Sequence, residues 1–135
     1  MNTTEIETQN TEQVTKIFDA FARGDVGYIL DQLADDVRFV SHLDPIVPWA
    51  GEYSGRDDVT RFFQALGSSV EVADHPVNAL VAQGDTVVAM GDVSFRVRQT
   101  QKAGASRWVY IWKLANGQIK SYDQYNDTGL AEAFR

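Results

Sequence analysis

The segment Arg107-Trp108-Val109-Tyr110-Ile111-Trp112-Lys113-Leu114 constrains the fold more than any other stretch of the chain. Period-2 alternation puts Trp108, Tyr110 and Trp112 on one face of a strand and Val109 and Ile111 on the other. A strand with one wet face alternates apolar with polar, so this one needs cover on both sides. Upstream, three segments carry apolar residues at i, i+3, i+4 and i+7: Val14, Ile17, Phe18, Phe21; Val26, Ile29, Leu30, Leu33; and Val59, Phe62, Phe63, Leu66. Each set forms one stripe of an amphipathic helix. Three short helices cover one face of a sheet. The other face needs a second sheet, and a second copy of the chain is its simplest source, so a homodimer through the outer sheet face is expected.

Punctuation supports this division. Gly24-Asp25 closes the first helix and offers Asp25 as N-cap of the second, while Ser54-Gly55-Arg56-Asp57 reads as a capping box for the third, which Gly67 ends. A short strand, 37–41, precedes a loop from His42 to Tyr53. After Gly67 the pattern turns to strands: 70–81, bent at His75-Pro76; 86–98; 107–114; and, after the tight turn at Asn116-Gly117, 119–126. Residues 128–134 form a last helical turn. Residues 1–10 read as a flexible N-terminus and 11–135 as a single domain. Helices followed by antiparallel strands specify an α+β fold.

The charge balance narrows the partners. Twelve Lys and Arg stand against 19 Asp and Glu, a formal charge of −7, which opposes nonspecific nucleic-acid binding and docking on an anionic membrane. No cysteine is present, so disulfides, thiolate metal sites and a Cys nucleophile are excluded. The first nine residues lack the basic and apolar regions of a signal peptide, and no apolar run reaches the ~18 residues of a membrane span. A cytoplasmic location is the expectation. No metal or cofactor is expected, since His42 and Asp44 lack a third ligand and no phosphate loop or nucleophile elbow occurs.

Leu33-Ala34-Asp35-Asp36-Val37, Gly51-Glu52-Tyr53-Ser54-Gly55-Arg56-Asp57, Asn116-Gly117-Gln118-Ile119 and Asp123-Gln124-Tyr125-Asn126-Asp127-Thr128 carry a resemblance over nearly the whole chain. In them the chain resembles SnoaL-like proteins, relatives of ketosteroid isomerase, limonene epoxide hydrolase and polyketide cyclases that share the nuclear transport factor 2 fold. The resemblance implies a cone-shaped barrel: a strongly bent, mixed or antiparallel sheet wrapped over three N-terminal helices around an apolar pocket, dimerised through the outer sheet face. It also places the isomerase's aspartate base at Ser41, its tyrosine donor at Ile17 and its protonated aspartate at Tyr110. The epoxide hydrolase's aspartate falls on Gln124, and an amide cannot act as that base. Fold alone does not fix a reaction here.

Beside the vacated base position stands His42, a candidate proton acceptor with an ordinary pKa of ~6.5 or, alternatively, a loop residue capping backbone groups. Alternation turns residue 42 away from the face of Ser41, so the catalytic role requires the strand to end or bulge there. Tyr110 is the candidate oxyanion donor, or else one of three core aromatics. Trp108 and Trp112 are expected to line the pocket and pack the core together, with Phe18, Ser41 and Tyr122 beside them. Gln124 and Asn126 are candidate convergent polar groups. Trp49 and Tyr53 read as a lid over the pocket mouth, and His75 as structural. These features favour a domain that binds a small apolar or polyketide-like molecule, with cofactor-independent isomerisation, cyclisation or hydration as its chemistry. The alternative is a non-catalytic ligand-binding or dimerisation module.

Overall fold

A computed structural model describes all of residues 1–135. Four helices and seven strands follow in the order α1 (Thr3–Ala22), α2 (Val26–Asp31), β1 (Leu33–Ser41), β2 (Gly51–Ser54), α3 (Arg56–Ser69), β3 (Val70–Asp74), β4 (Val77–Gln83), β5 (Thr86–Val97), β6 (Ala103–Ala115), β7 (Gln118–Asn126) and α4 (Thr128–Glu132). All strands join one curved, unclosed sheet in the order β2-β1-β7-β6-β5-β3, with β4 also on β5. The β1–β7 pair is parallel and the other pairs are antiparallel. The helices and the concave face enclose one apolar core, as the cone requires.

Local chemistry explains most boundaries, and it corrects several expected ones. Helix α1 begins at Thr3, within the residues 1–10 expected to be flexible, and the Asn2 side chain caps it by accepting from the Glu5 N–H at 2.9 Å. Asp25 caps α2 through the Tyr28 N–H at 3.1 Å. Leu33 leaves that helix for β1, where it is buried. The N-cap of α3 is Gly55, at φ 84°, a residue with no side chain to cap with. Instead the Asp58 carboxylate reaches back to the Ser54 N–H at 2.8 Å. Gly67 does not end α3, which runs on to Ser69.

The expected bend at His75-Pro76 becomes a complete break. β3 pairs with residues 94–97 of β5 and β4 with residues 86–91, so the two strands share one edge of β5 with the break between them. Pro76 has no N–H, but its carbonyl accepts from the Asp92 N–H at 3.1 Å. A Cβ on Gly91 would overlap the Pro76 carbonyl and the Trp108 ring, so glycine there lets backbone and indole close together.

The two faces of β6 separate as alternation requires. Trp108, Tyr110, Trp112 and Leu114 are buried on the inner face. Val109 stays 36% exposed on the outer face, opposite Met90 and Tyr125, which are themselves exposed. No helix is long and apolar enough to cross a membrane.

Candidate functional site

A cavity of about 80 Å³ lies between the helical stripes and the inner face of the sheet, and none of the 20 residues lining it is Asp, Glu, Lys or Arg. It continues into a groove of about 460 Å³ walled by Phe21 of α1, Leu66 of α3 and Val72 of β3. The groove is the mouth. The expected opening at Trp49 and Tyr53 is closed: Trp49 is only 3% exposed, and its ring meets Phe134 edge-on at 5.7 Å. The Tyr53 hydroxyl donates to the Trp49 carbonyl at 3.1 Å, and Arg135 pairs with Asp44 at 2.6 Å across the same end. Trp49 is therefore a buried wall and Tyr53 its brace, not an exposed lid.

At the open end stands a histidine that sequence reasoning set aside as structural. His75 Nε2 lies 3.0 Å from the Tyr110 hydroxyl. Its ring stacks on Trp108 at 4.7 Å with an interplanar angle of 8°, and Phe21 packs beside it at 5.3 Å. Trp108 is held in turn by its indole N–H, which donates to the Asp92 carbonyl at 2.8 Å. Trp108 thus supports the imidazole and does not itself line the cavity. Burial among these rings lowers the His75 pKa from its ordinary 6.5, against a smaller opposing pull from Asp74. The imidazole is neutral at pH 7. Tyr110 is shifted the other way, its phenol held protonated by burial, with the Tyr122 phenol opposing weakly. Burial also holds the Tyr122 phenol well above its ordinary value, and Tyr110 reinforces the shift.

The far wall is a chain of polar groups. Ser41 donates to Gln124 Oε1 at 2.7 Å, Gln124 Nε2 to Asn126 Oδ1 at 3.0 Å, and Asn126 Nδ2 to the Ser106 hydroxyl at 3.2 Å. Ser106 donates on to Asp127 Oδ1 at 2.9 Å. Burial works to raise the Asp127 pKa, but the Arg107 N–H, the Ser106 hydroxyl and the Gly129 N–H outweigh it and hold the carboxyl below its usual range. Gln124 and Asn126 reach the cavity, while Ser41 is buried behind Gln124 and fixes its amide. Phe18, Tyr110, Trp112 and Tyr122 all stand on the cavity wall.

His42 does not. β1 ends at Ser41, but its pairing with β7 carries on through the His42 N–H to the Gln124 carbonyl at 2.9 Å, so the alternation holds through residue 42 with no bulge there. With Ser41 inward, His42 faces outward, where Nε2 meets Asp123 Oδ1 at 2.7 Å and the ring stacks on Tyr125 at 4.5 Å. Alternation decides its position, and it lies outside the cavity. No group of three or more His, Cys, Asp or Glu side chains gathers anywhere to hold a metal ion. The signals that point to His75 are the Pro76 break and Gly91, but only the long-range register brings them onto Trp108 and Tyr110.

Known proteins place this geometry in a family. The model of the SnoaL-like domain matches residues 14–122, and the chain belongs to that family, within the NTF2-like superfamily. An NTF2-like protein of Burkholderia xenovorans is similar at 27% identity and a TM-score of 0.85, over 96% of this chain and 98% of that one. Another, from Burkholderia thailandensis, is 26% identical with a TM-score of 0.84, over 100% of this chain and 99% of that one. TerC, solved in co-crystals with polyporic acid, shares the fold at 19% identity and a TM-score of 0.79, over 93% of this chain and 98% of that one. No curated protein matches the sequence.

Proposed function

We propose that this SnoaL-like domain binds a compact apolar molecule in its cone and transfers protons on it with the His75–Tyr110 pair, as a cofactor-independent isomerase or cyclase would. One observation carries the reading. In a cavity whose lining has no Asp, Glu, Lys or Arg, the imidazole and the phenol lie 3.0 Å apart and titrate in opposite directions from their ordinary values. A neutral imidazole is a competent base at pH 7, and a buried phenol that stays protonated is a competent donor to a developing oxyanion. His75 takes the role the sequence suggested for His42, and Tyr110 keeps its own. His75 lines the mouth and Tyr110 stands behind it on the cavity wall, so a substrate carbonyl entering past Phe21 and Leu66 passes the imidazole to reach the phenol.

Acid–base competence can be tested without knowing the substrate. 1-Tetralone carries an enolisable CH₂ beside its carbonyl, and proton NMR in D₂O follows loss of that signal. Loss well above the buffer rate, suppressed in Tyr110→Phe, is the expected result. Binding of the ketone with exchange at the buffer rate would overturn the catalytic reading and leave the non-catalytic binding module. One feature favours that module: the positions where the resemblance puts a carboxylate base hold Ser41 and Gln124, bonded to each other.

A second copy of the chain is the proposed partner of the outer face. Val81, Met90, Val109 and Tyr125 are exposed apolar side chains on adjoining strands of that face, the kind of patch that marks an interaction surface. Size exclusion with light scattering is expected to give twice the chain mass at micromolar concentration, and Val109→Asp to give the single chain.

A further inference from the structure

The hydrogen-bond chain on the far wall ends on a carboxylate outside the cavity. Asp127, the N-cap residue of α4, is exposed and is not among the residues lining the cavity. Its oxygens accept from the Arg107 N–H at 3.2 Å, the Gly129 N–H at 3.0 Å and the Ser106 hydroxyl at 2.9 Å. A carboxylate only accepts, and the sense of the whole chain follows from that. Ser106 Oγ lies 2.9 Å from both Asp127 Oδ1 and the Arg107 carbonyl, and neither oxygen has a proton to give. The hydroxyl proton is therefore committed to them, and Ser106 must accept from Asn126. Asn126 thus turns Nδ2 to Ser106 at 3.2 Å and Oδ1 to Gln124 at 3.0 Å. Gln124, donating through Nε2, keeps Oε1 for the Ser41 hydroxyl at 2.7 Å. Reversing either amide alone would set donor against donor or acceptor against acceptor. Ser41 holds Gln124 in place, but a hydroxyl donates or accepts and cannot choose which end of an amide it holds.

We propose that Asp127 is a positioning residue: through Ser106 it fixes which ends of the Gln124 and Asn126 amides face each other, and so sets the order of donors and acceptors along the polar wall of the cavity. The inference rests on the cavity being a binding site, as argued above, and adds a specificity-determining residue that lies outside the lining. Gln124 and Asn126 are the only amides on that lining. A primary amide has nearly the same shape either way round, so packing does not choose between its two orders. A partner of fixed hydrogen-bonding character has to. Asp127 is such a partner, and it is itself held firmly. A Cβ on Gly129 would stand 2.3 Å from the Ala105 carbonyl, so glycine there lets the first turn of α4 close onto β6, where Asp127 reaches Ser106. Ser106 is 6% exposed and Gln124 5%, so water does not compete freely for either group. An order imposed from one end and shielded from water is a fixed pattern, which a bound molecule has to match.

The chain is anchored at one end only, and that asymmetry can be measured. In NOE spectra of the full chain labelled with ¹⁵N and ¹³C, the Asn126 side-chain NH₂ is expected to show cross-peaks to the Ser106 β-protons, and the Gln124 NH₂ none to those of Ser41. Ser41→Ala cuts the chain at its free end and is expected to leave the Asn126–Ser106 cross-peaks unchanged. Ser106→Ala cuts it at the anchor, keeps both backbone bonds of Asp127, and is expected to bring up Gln124–Ser41 cross-peaks as the reversed order becomes populated. Asp127→Asn gives position 127 a donor, is expected to act in the same direction, and serves where Ser106→Ala does not fold. Two bicyclic probes read the change from within the cavity: 1-tetralone, which only accepts, and indole, which only donates. By calorimetry, the tetralone-to-indole affinity ratio is expected to differ about two- to tenfold between wild type and Ser106→Ala, the usual effect of one neutral hydrogen bond. A merely structural Ser106 would weaken both probes together and leave the ratio alone. Wild-type cross-peaks in Ser106→Ala and Asp127→Asn, equal disturbance by Ser41→Ala and Ser106→Ala, or a fixed ratio overturns the assignment and leaves the cavity a binding site. Failure of both probes to bind overturns the binding reading, while the spectra still decide the role of Asp127.

Discussion

The two histidines of this chain share a residue type and differ in everything that decides what an imidazole does. His42 sits on the outer face with an Asp123 oxygen 2.7 Å away and about a third of its side chain in solvent. His75 sits at the cavity mouth, stacked on an indole, with a phenol as the only hydrogen-bond partner of its ring. The Asp123 carboxylate ties His42, just past the end of β1, to β7 on the outer face. A phenol partner among rings stabilises the neutral form and leaves a base. Proximity to the vacated base position pointed to His42, but the period-2 geometry of a strand governs, and one step along it exchanges inside for outside.

Kinetics should separate the two most sharply. In the tetralone exchange assay, His75→Gln is expected to slow exchange by about 10²–10⁴-fold, the usual effect of one positioned acid or base. His42→Ala is expected to leave the rate within about twofold, because its ring never reaches the cavity. An equal loss in both variants would end the distinction.

Stability gives the next contrast. Gly91 makes room for the Pro76 carbonyl and the Trp108 ring, so Gly91→Ala must push apart the stack that orients His75. Urea unfolding is expected to show a loss of about 1–3 kcal/mol, typical of overpacking a tight site. Gly67→Ala is the control: nothing approaches its Cβ position, it is exposed, and it lies inside helix α3, so a gain of about 0.5–1 kcal/mol is expected. Equal effects at both glycines would mean that Trp108 tolerates displacement and that His75 is not held in place by this contact.

These contrasts also mark what the sequence made legible. Alternation along β6 and β7 put Tyr110, Trp112, Tyr122 and Gln124 on one face, and the structure sets all four on the cavity wall. The apolar stripes located the helices, because a 3.6-residue period needs no tertiary information. Loops carry no period. Trp49 therefore read as exposed, and only the return of Phe134 from the C-terminal end, 85 positions away by the numbering, buries it. His75 was illegible for a related reason. His-Pro on a bent strand is an ordinary pattern, and its meaning comes from the register that sets Gly91 opposite Trp108.

Lowered pH tests the inner histidine directly. With its folded pKa below 6.5, His75 binds a proton less readily in the native chain than in the unfolded one. Its contribution to stability is fully present above pH 6.5 and is lost as pH falls through the folded value, below which the loss levels off. The difference in unfolding free energy between wild type and His75→Gln, followed by urea titration from pH 8 to pH 4, is expected to fall over that window. A flat difference would mean that the imidazole is hydrated and that the phenol contact does not keep it neutral.

The smallest effect belongs to His42, and it is the one that closes the comparison from the other side. Its bond to Asp123 lies on a face where Arg38 also approaches the same carboxylate, at 3.9 Å, so removing the imidazole leaves Asp123 the guanidinium. Partly exposed ion pairs are worth about 0–1 kcal/mol, and a shared carboxylate belongs at the low end. The stacked ring of Tyr125 adds contact area that alanine forfeits. His42→Ala is therefore expected to cost less than about 1 kcal/mol in urea unfolding, and a double-mutant cycle with Asp123→Asn to show a coupling that weakens as salt rises. A coupling of several kcal/mol that salt does not touch would mean that a desolvating partner covers this pair in solution. His42 would then belong to an interface, since Tyr125 beside it borders the exposed apolar patch proposed to meet a second copy of the chain.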